Sequence, residues 1–163
     1  MGSEQSLPAL GADPMYTTVS GWSGGSGFAN NVHVVHSETF KGVGVINGGP
    51  YAVGEYLDIG GIFQYKQTGS SMATESVKYA NQMSSEGKID NVSNLNNAPV
   101  VIFSSGMDSI MPKAMQDAQK EFYENFGANV NFTYNADYQH GWPVDISPDE
   151  LPAEPCTKFN YPV

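Results

Sequence analysis

Apolar positions fall into short runs, and their spacing predicts strands alternating with helices. Tyr16-Thr17-Thr18-Val19-Ser20 is aromatic and β-branched and predicts a strand. A glycine-rich turn, Gly21 to Gly27, follows it. Phe28, Val32 and Val35 then recur at helical spacing, which predicts a helix to His36 with those three on its apolar face. Gly42-Val43-Gly44-Val45-Ile46 predicts a second strand, closed by Asn47-Gly48-Gly49-Pro50. Residues 51–69 read as irregular. Ser70 to Ser84 reads as a helix, with Ser70 and Ser71 as candidate N-caps and Glu75 in its first turns. An Asn-rich polar loop spans Asp90 to Ala98.

Pro99-Val100-Val101-Ile102-Phe103 is a continuous apolar run, the pattern of a strand buried on both faces. Ser104 to Ile110 reads as a loop. Pro112 suits the first turn of a helix ending near Phe126, with Gly127 just past its end and Met115, Ala118, Phe122 and Phe126 on one face. Asn129 to Tyr134 predicts a fourth strand. The order β-α-β-loop-α-β-α-β predicts an α/β fold with a mostly parallel sheet and right-handed crossovers. The expected division is an irregular lead-in over 1–14, one α/β domain over 15–145 and a Pro-rich irregular tail over 146–163.

Composition narrows the function classes. Seven Lys and Arg face seventeen Asp and Glu, a net charge of −10 over 163 residues. Nucleic-acid binding needs clustered basic charge, and an anionic membrane surface repels this balance. No apolar run approaches the ~20 residues that span a bilayer. Met1 to Leu10 carries Glu4 and has no apolar core, so no secretory signal is read there. Cys156 is the only cysteine, which leaves no internal disulfide to infer.

In a parallel sheet a site forms beyond the carboxyl ends of the strands, which directs attention to three loops. The first carries Gly21-Trp22-Ser23-Gly24-Gly25 between a predicted strand and a predicted helix. A Gly-x-Ser-x-Gly turn in that context lifts a serine hydroxyl above the sheet, and its flanking glycines let strand and helix approach. The N–H of Gly24, at the helix start, would face a developing oxyanion. The second loop, after the strongest strand, carries Asp108, an acid placed to orient a histidine. The third carries His140 after the last strand. Ser23, Asp108 and His140 stand in the chain order of the α/β-hydrolase triad. His33 and His36, three apart, match a two-ligand metal spacing, but no Cys, Asp or Glu pattern supports it. They read as solvent-facing or partly packed, and no metal or other cofactor is expected.

Leu7-Pro8-Ala9-Leu10, Val19 to Gly25, His36-Ser37-Glu38-Thr39-Phe40 and Asn47-Gly48-Gly49-Pro50-Tyr51 together resemble the extracellular polyhydroxybutyrate depolymerases, most of all the fungal, circularly permuted type. Gly106-Met107-Asp108 and His140 to Asp145 resemble that family's acid and base segments. The resemblance implies an α/β-hydrolase fold and a serine esterase acting on a short-chain polyester such as poly(3-hydroxybutyrate). Ser23 would be its nucleophile, His140 its base, Asp108 its orienting acid and Gly24 one oxyanion donor. Trp22 and Trp142 flank two of these residues and would line an acyl groove or simply pack. The resemblance also implies an extracellular setting.

Two departures stand out. Ser26 and Gly27 stand where the family has a further glycine and a large residue. Nothing here corresponds to the family's second part, which supplies further strands, the other oxyanion donor and substrate contacts. The expectation is therefore a partial domain, weakly active or inactive alone, or completed by another chain. A non-catalytic binding module and a feruloyl- or acetyl-type carboxylesterase are the alternative readings.

Overall fold

The computed structural model of the protein describes residues 10–56 and 69–143. Asp13 caps a 3-10 turn, Pro14–Tyr16, by accepting from the Met15 N–H at 2.9 Å. That turn takes up Tyr16, so the first strand, β1, runs Thr18–Trp22 and starts later than its pattern predicts. The elements that follow are α1 (Gly24–Val35), β2 (Gly42–Ile46), the short α2 (Val53–Tyr56), α3 (Gly69–Ser85), β3 (Pro99–Ser105), α4 (Lys113–Asn125) and β4 (Asn129–Asn135). Helix α1 takes in most of the glycine-rich turn, because Ser23 alone makes the reversal. Helix α3 begins at Gly69, so Ser70 and Ser71 lie inside it rather than capping it. The Asn-rich loop contains a 3-10 turn, Val92–Leu95, capped by Asn91 and plugged into the core by the fully buried Leu95. The rest of the stretch expected to be irregular (57–68), residues 1–9, and the segment from 144 onward with Cys156 lie outside the described residues.

All four strands are parallel, in the order β1-β2-β3-β4. Each crossover advances in the same direction, and right-handed crossovers then put every intervening helix on one face. Two rows of the sheet meet those helices: Val19–Val43–Val100–Val130 and Gly21–Val45–Ile102–Phe132. Val34 of α1, Ala80 of α3, Phe122 and Tyr123 of α4, and Tyr51 and Leu95 close the core over them. The opposite face, with the rows Ser20–Gly44–Val101–Asn131 and Trp22–Ile46–Phe103–Thr133, receives no crossover helix among the described residues. Val101, in the middle of β3, is 54% exposed. The expectation that β3 is buried on both faces is thus corrected. Its apolar run would suit two covering layers, but the neighbour order supplies helices to only one.

The buried face of α1 also differs from its pattern. Phe28 is 70% exposed, and the residues turned inward are Ser26, Ala29, Asn30, His33 and Val34. Asn30 and His33 are satisfied across elements. The Tyr123 hydroxyl donates to Asn30 Oδ1 at 2.6 Å, and the Asn30 amide donates to the Gly49 carbonyl at 3.0 Å. With the hydroxyl proton engaged there, His33 Nδ1 donates to the phenol oxygen at 3.0 Å. One chain of hydrogen bonds so joins α1, α4 and the Asn47–Pro50 turn. His33 is therefore core rather than solvent-facing, whereas His36 is exposed.

Burial lowers the His33 pKa to about 4, since the imidazolium would lose its hydration. In the unfolded chain the ring takes up a proton near pH 6.5. Unfolding is then favoured progressively as pH falls from about 6.5 toward 4, by up to roughly 3 kcal/mol in total. Thermal melts across that range should show a steeper fall in Tm for the wild type than for His33→Gln. Equal slopes would contradict the assignment.

Candidate active site

Ser23 occupies the end of β1 and the N-cap of α1 with φ 55° and ψ −122°, a backbone region costly for a residue with a Cβ. The Ser23 N–H donates to the Ile46 carbonyl at 3.0 Å, and the Ser23 carbonyl accepts from Ser26 and Gly27 at 3.0 and 3.2 Å. These bonds tie the strained turn to β2 on one side and to the first turn of α1 on the other. Gly21 makes the turn possible, because a Cβ there would overlap the Gly25 carbonyl and lie 2.8 Å from the Ser26 nitrogen. Gly24 and Gly25 face open space, so the close approach depends on the first glycine of the pentapeptide. Gly24 opens α1, and its N–H is among the helix's first four, which have no partner within the helix.

The loop after β3 brings Asp108 to the same end of the sheet. Asp108 Oδ1 accepts from the Ile110 and Met111 N–H groups at 2.8 and 2.7 Å, which leaves Oδ2 to turn toward the histidine. The loop after β4 brings His140. Backbone bonds tie the two loops together, Gly106 N–H to the Asn135 carbonyl and Met107 N–H to the Tyr138 carbonyl, each at 2.8 Å. From the end of β2, the buried Asn47 amide donates to the Gly141 carbonyl at 3.2 Å.

The structure brings the three predicted side chains into one hydrogen-bonded line. His140 Nδ1 lies 2.8 Å from Asp108 Oδ2, and His140 Nε2 lies 2.7 Å from Ser23 Oγ. The Asp108 side chain is fully buried and that of His140 is 8% exposed. A proton on Nδ1, donated to the carboxylate, leaves Nε2 free to accept from the serine hydroxyl. Trp22 stacks obliquely on the imidazole, with ring centroids 5.1 Å apart. Trp142 is half exposed beyond Gly141. The structure also adds two residues that the sequence reading passed over, Asn47 and Gln116. Both are buried amides, and each holds one of the loops. Their signal was present as polar residues in apolar settings, Asn47 directly after a strand and Gln116 beside Met115 on a helix face turned to the core.

A poly(3-hydroxybutyrate) depolymerase of Delftia acidovorans is 39% identical over 134 residues, covering 80% of this chain. Over this stretch the chain is similar to that depolymerase. It spans 27% of that protein's length. Two solved depolymerase structures share the fold. One is a serine-to-alanine variant complexed with an R3HB trimer, with a TM-score of 0.74 and 21% identity over 95% of this chain and 49% of that one. The other, from Penicillium funiculosum, has a TM-score of 0.72 and 23% identity over 87% of this chain and 44% of that one. Acylaminoacyl peptidase of Pyrococcus horikoshii is a more distant likeness, with a TM-score of 0.51 and 15% identity over 80% of this chain and 21% of that one. No family model matches the chain. The chain thus has a partial α/β-hydrolase fold and spans about half the length of the two solved depolymerase chains.

The two ends of the pentapeptide differ in what they tolerate. Gly21→Ala should destabilise the fold by about 1–3 kcal/mol through backbone overlap, a loss of several degrees in Tm. Gly24→Ala, facing open space, should melt close to the wild type. Comparable melting of both variants would show that strand and helix do not make this contact.

Proposed function

We propose that the chain is the nucleophile, acid and base portion of a serine esterase that hydrolyses a short-chain polyester such as poly(3-hydroxybutyrate). The observation that carries this reading is the continuous Ser23–His140–Asp108 line, with separations of 2.7 and 2.8 Å. Its members come from three loops at one end of a parallel sheet. The Delftia relative, named as such a depolymerase, supports the substrate class.

In this mechanism Ser23 Oγ attacks the ester carbonyl carbon while His140 Nε2 takes the hydroxyl proton. Asp108 holds the imidazole by Nδ1 and stabilises its cation. The carbonyl oxygen becomes an oxyanion beside the start of α1, where the Gly24 N–H and the helix dipole favour negative charge. As the tetrahedral intermediate collapses, His140 returns the proton to the departing alcohol oxygen and Ser23 keeps the acyl group. Water then gives its proton to His140 and attacks the acyl carbon. The second collapse frees the hydroxy acid and restores the Ser23 hydroxyl. Trp22, against the imidazole, and the half-exposed Trp142 supply apolar surface for the acyl chain. An extracellular setting belongs to the same proposal.

Gly24 is the one oxyanion donor assigned among the described residues. Loss of a single donor typically costs about 10²–10³ in kcat. The exposed Val101 and the edge position of β1 among the described residues favour a further polypeptide portion that covers the sheet and supplies the second donor. The 163 residues alone are then expected to acylate slowly. Addition of the remaining portion of a depolymerase fold should raise the rate by about that factor.

Acylation of Ser23 by a fluorophosphonate probe, located by mass spectrometry, tests the reading. Wild-type protein should label at Ser23. Ser23→Ala should abolish labelling without loss of the fold, and Asp108→Asn should slow it by about 10⁴-fold through loss of the correct imidazole tautomer. A wild type that resists the probe would favour a non-catalytic binding module instead. Labelling that survives Ser23→Ala would remove Ser23 from the mechanism.

A further inference from the structure

Helix α4 turns Met115, Ala118, Phe122 and Tyr123 toward the core, yet two glutamines, Gln116 and Gln119, are just as buried. A buried primary amide is costly unless its two N–H groups and its oxygen are paired. Gln116 meets that demand completely, and all its partners lie on the loop that carries Asp108 or on the strand end that begins it. Gln116 Oε1 accepts from the Ser104 hydroxyl at 2.7 Å and from the Ser105 N–H at 2.9 Å. Its Nε2 donates to the Met111 carbonyl at 2.8 Å and to the Ser105 carbonyl at 3.2 Å. One side chain therefore grips both the start and the end of the acid loop.

Met111 connects that grip to the carboxylate. Its carbonyl is held by Gln116, and its N–H donates to Asp108 Oδ1 at 2.7 Å. Asp108 Oδ2 in turn meets His140 Nδ1 at 2.8 Å. The turn from Asp108 to Met111 belongs to no helix or strand, so its placement rests on bonds of this kind. We propose that Gln116 is the positioning residue for Asp108. It closes the acid loop so that one carboxylate oxygen is occupied by Ile110 and Met111 and the other faces the imidazole. Gln116 acts through the loop, with no hydrogen bond of its own to the serine or the histidine among the described residues. Gln119 is a matched comparison. It lies on the same helix and is equally buried, but none of its side-chain atoms has a hydrogen-bond partner among the described residues. The catalytic part of the proposal rests on the esterase reading, whereas the geometric part stands apart from it.

The test compares Gln116→Met with Gln119→Met by two readouts. The first is the downfield proton resonance of the His140 Nδ1–H bonded to Asp108, observed by NMR. It should move upfield or vanish in Gln116→Met and persist in Gln119→Met. An unchanged resonance in Gln116→Met would overturn the proposal, whether or not the protein is an esterase. The second is the rate of fluorophosphonate acylation at Ser23. Displacing a catalytic group by about 1 Å can cost on the order of 10²-fold, so Gln116→Met should slow acylation by about 10–100-fold. In an Asp108→Asn background the same change should cost less than about twofold, because its route to the serine has already been cut. Equal costs in both backgrounds would reduce Gln116 to a packing residue. A wild type that does not label would sink the esterase reading, while the resonance would still decide the geometric proposal.

Discussion

The neighbour order of the sheet is the constraint from which the rest of the structure follows. Four parallel strands laid down in sequence, each beside the last, leave right-handed crossovers no choice of side. The crossover helices land on one face, and the loops that follow β1, β3 and β4 gather at one end. A serine, an acid and a histidine separated by 117 residues at their widest thereby come within hydrogen-bond distance. The same constraint sends no crossover helix to the other face among the described residues.

Within that frame, precision at the site comes from buried polar contacts more than from apolar packing. The rows of valine and isoleucine set the sheet's register, but they do not fix a loop. The acid loop is held by Gln116 and by its own Asp108 turn, and the histidine loop by Asn47 and by backbone bonds to the acid loop. The serine turn is held by the Ile46 carbonyl and by the space left at Gly21. The His33–Tyr123–Asn30–Gly49 chain links α1 to the turn in which Asn47 lies. Directional bonds at loop ends can fix an atom's position in a way that non-directional burial does not.

Most of the strand and helix order was legible in the sequence because runs such as Gly42–Ile46, Pro99–Phe103 and Asn129–Tyr134 carry strong local signals. Ser23, Asp108 and His140 were legible because each follows a strand and the chain order is distinctive. Other features were not. The inward face of α1 was misread at Phe28 because its true partners, Asn30 and His33, are polar and become suitable core residues only once Tyr123 is opposite them. Val101 looked like core because an apolar run does not report how many layers the topology supplies. Gln116 stood out only as a polar residue on a core-facing helix face, and its role was not legible because it lies in four hydrogen bonds to partners 5 to 12 residues away, a relation that helical periodicity does not encode.

The consecutive strand order also has a temporal meaning. A chain emerging from the ribosome can add each new strand to the edge just completed, without waiting for a distant partner or threading between strands already paired. The Ser23 turn is translated before β2, β3 and β4, and His140 arrives only after the last of them. In that order of synthesis Ser23 waits for its hydrogen-bond partner until β4 has been translated.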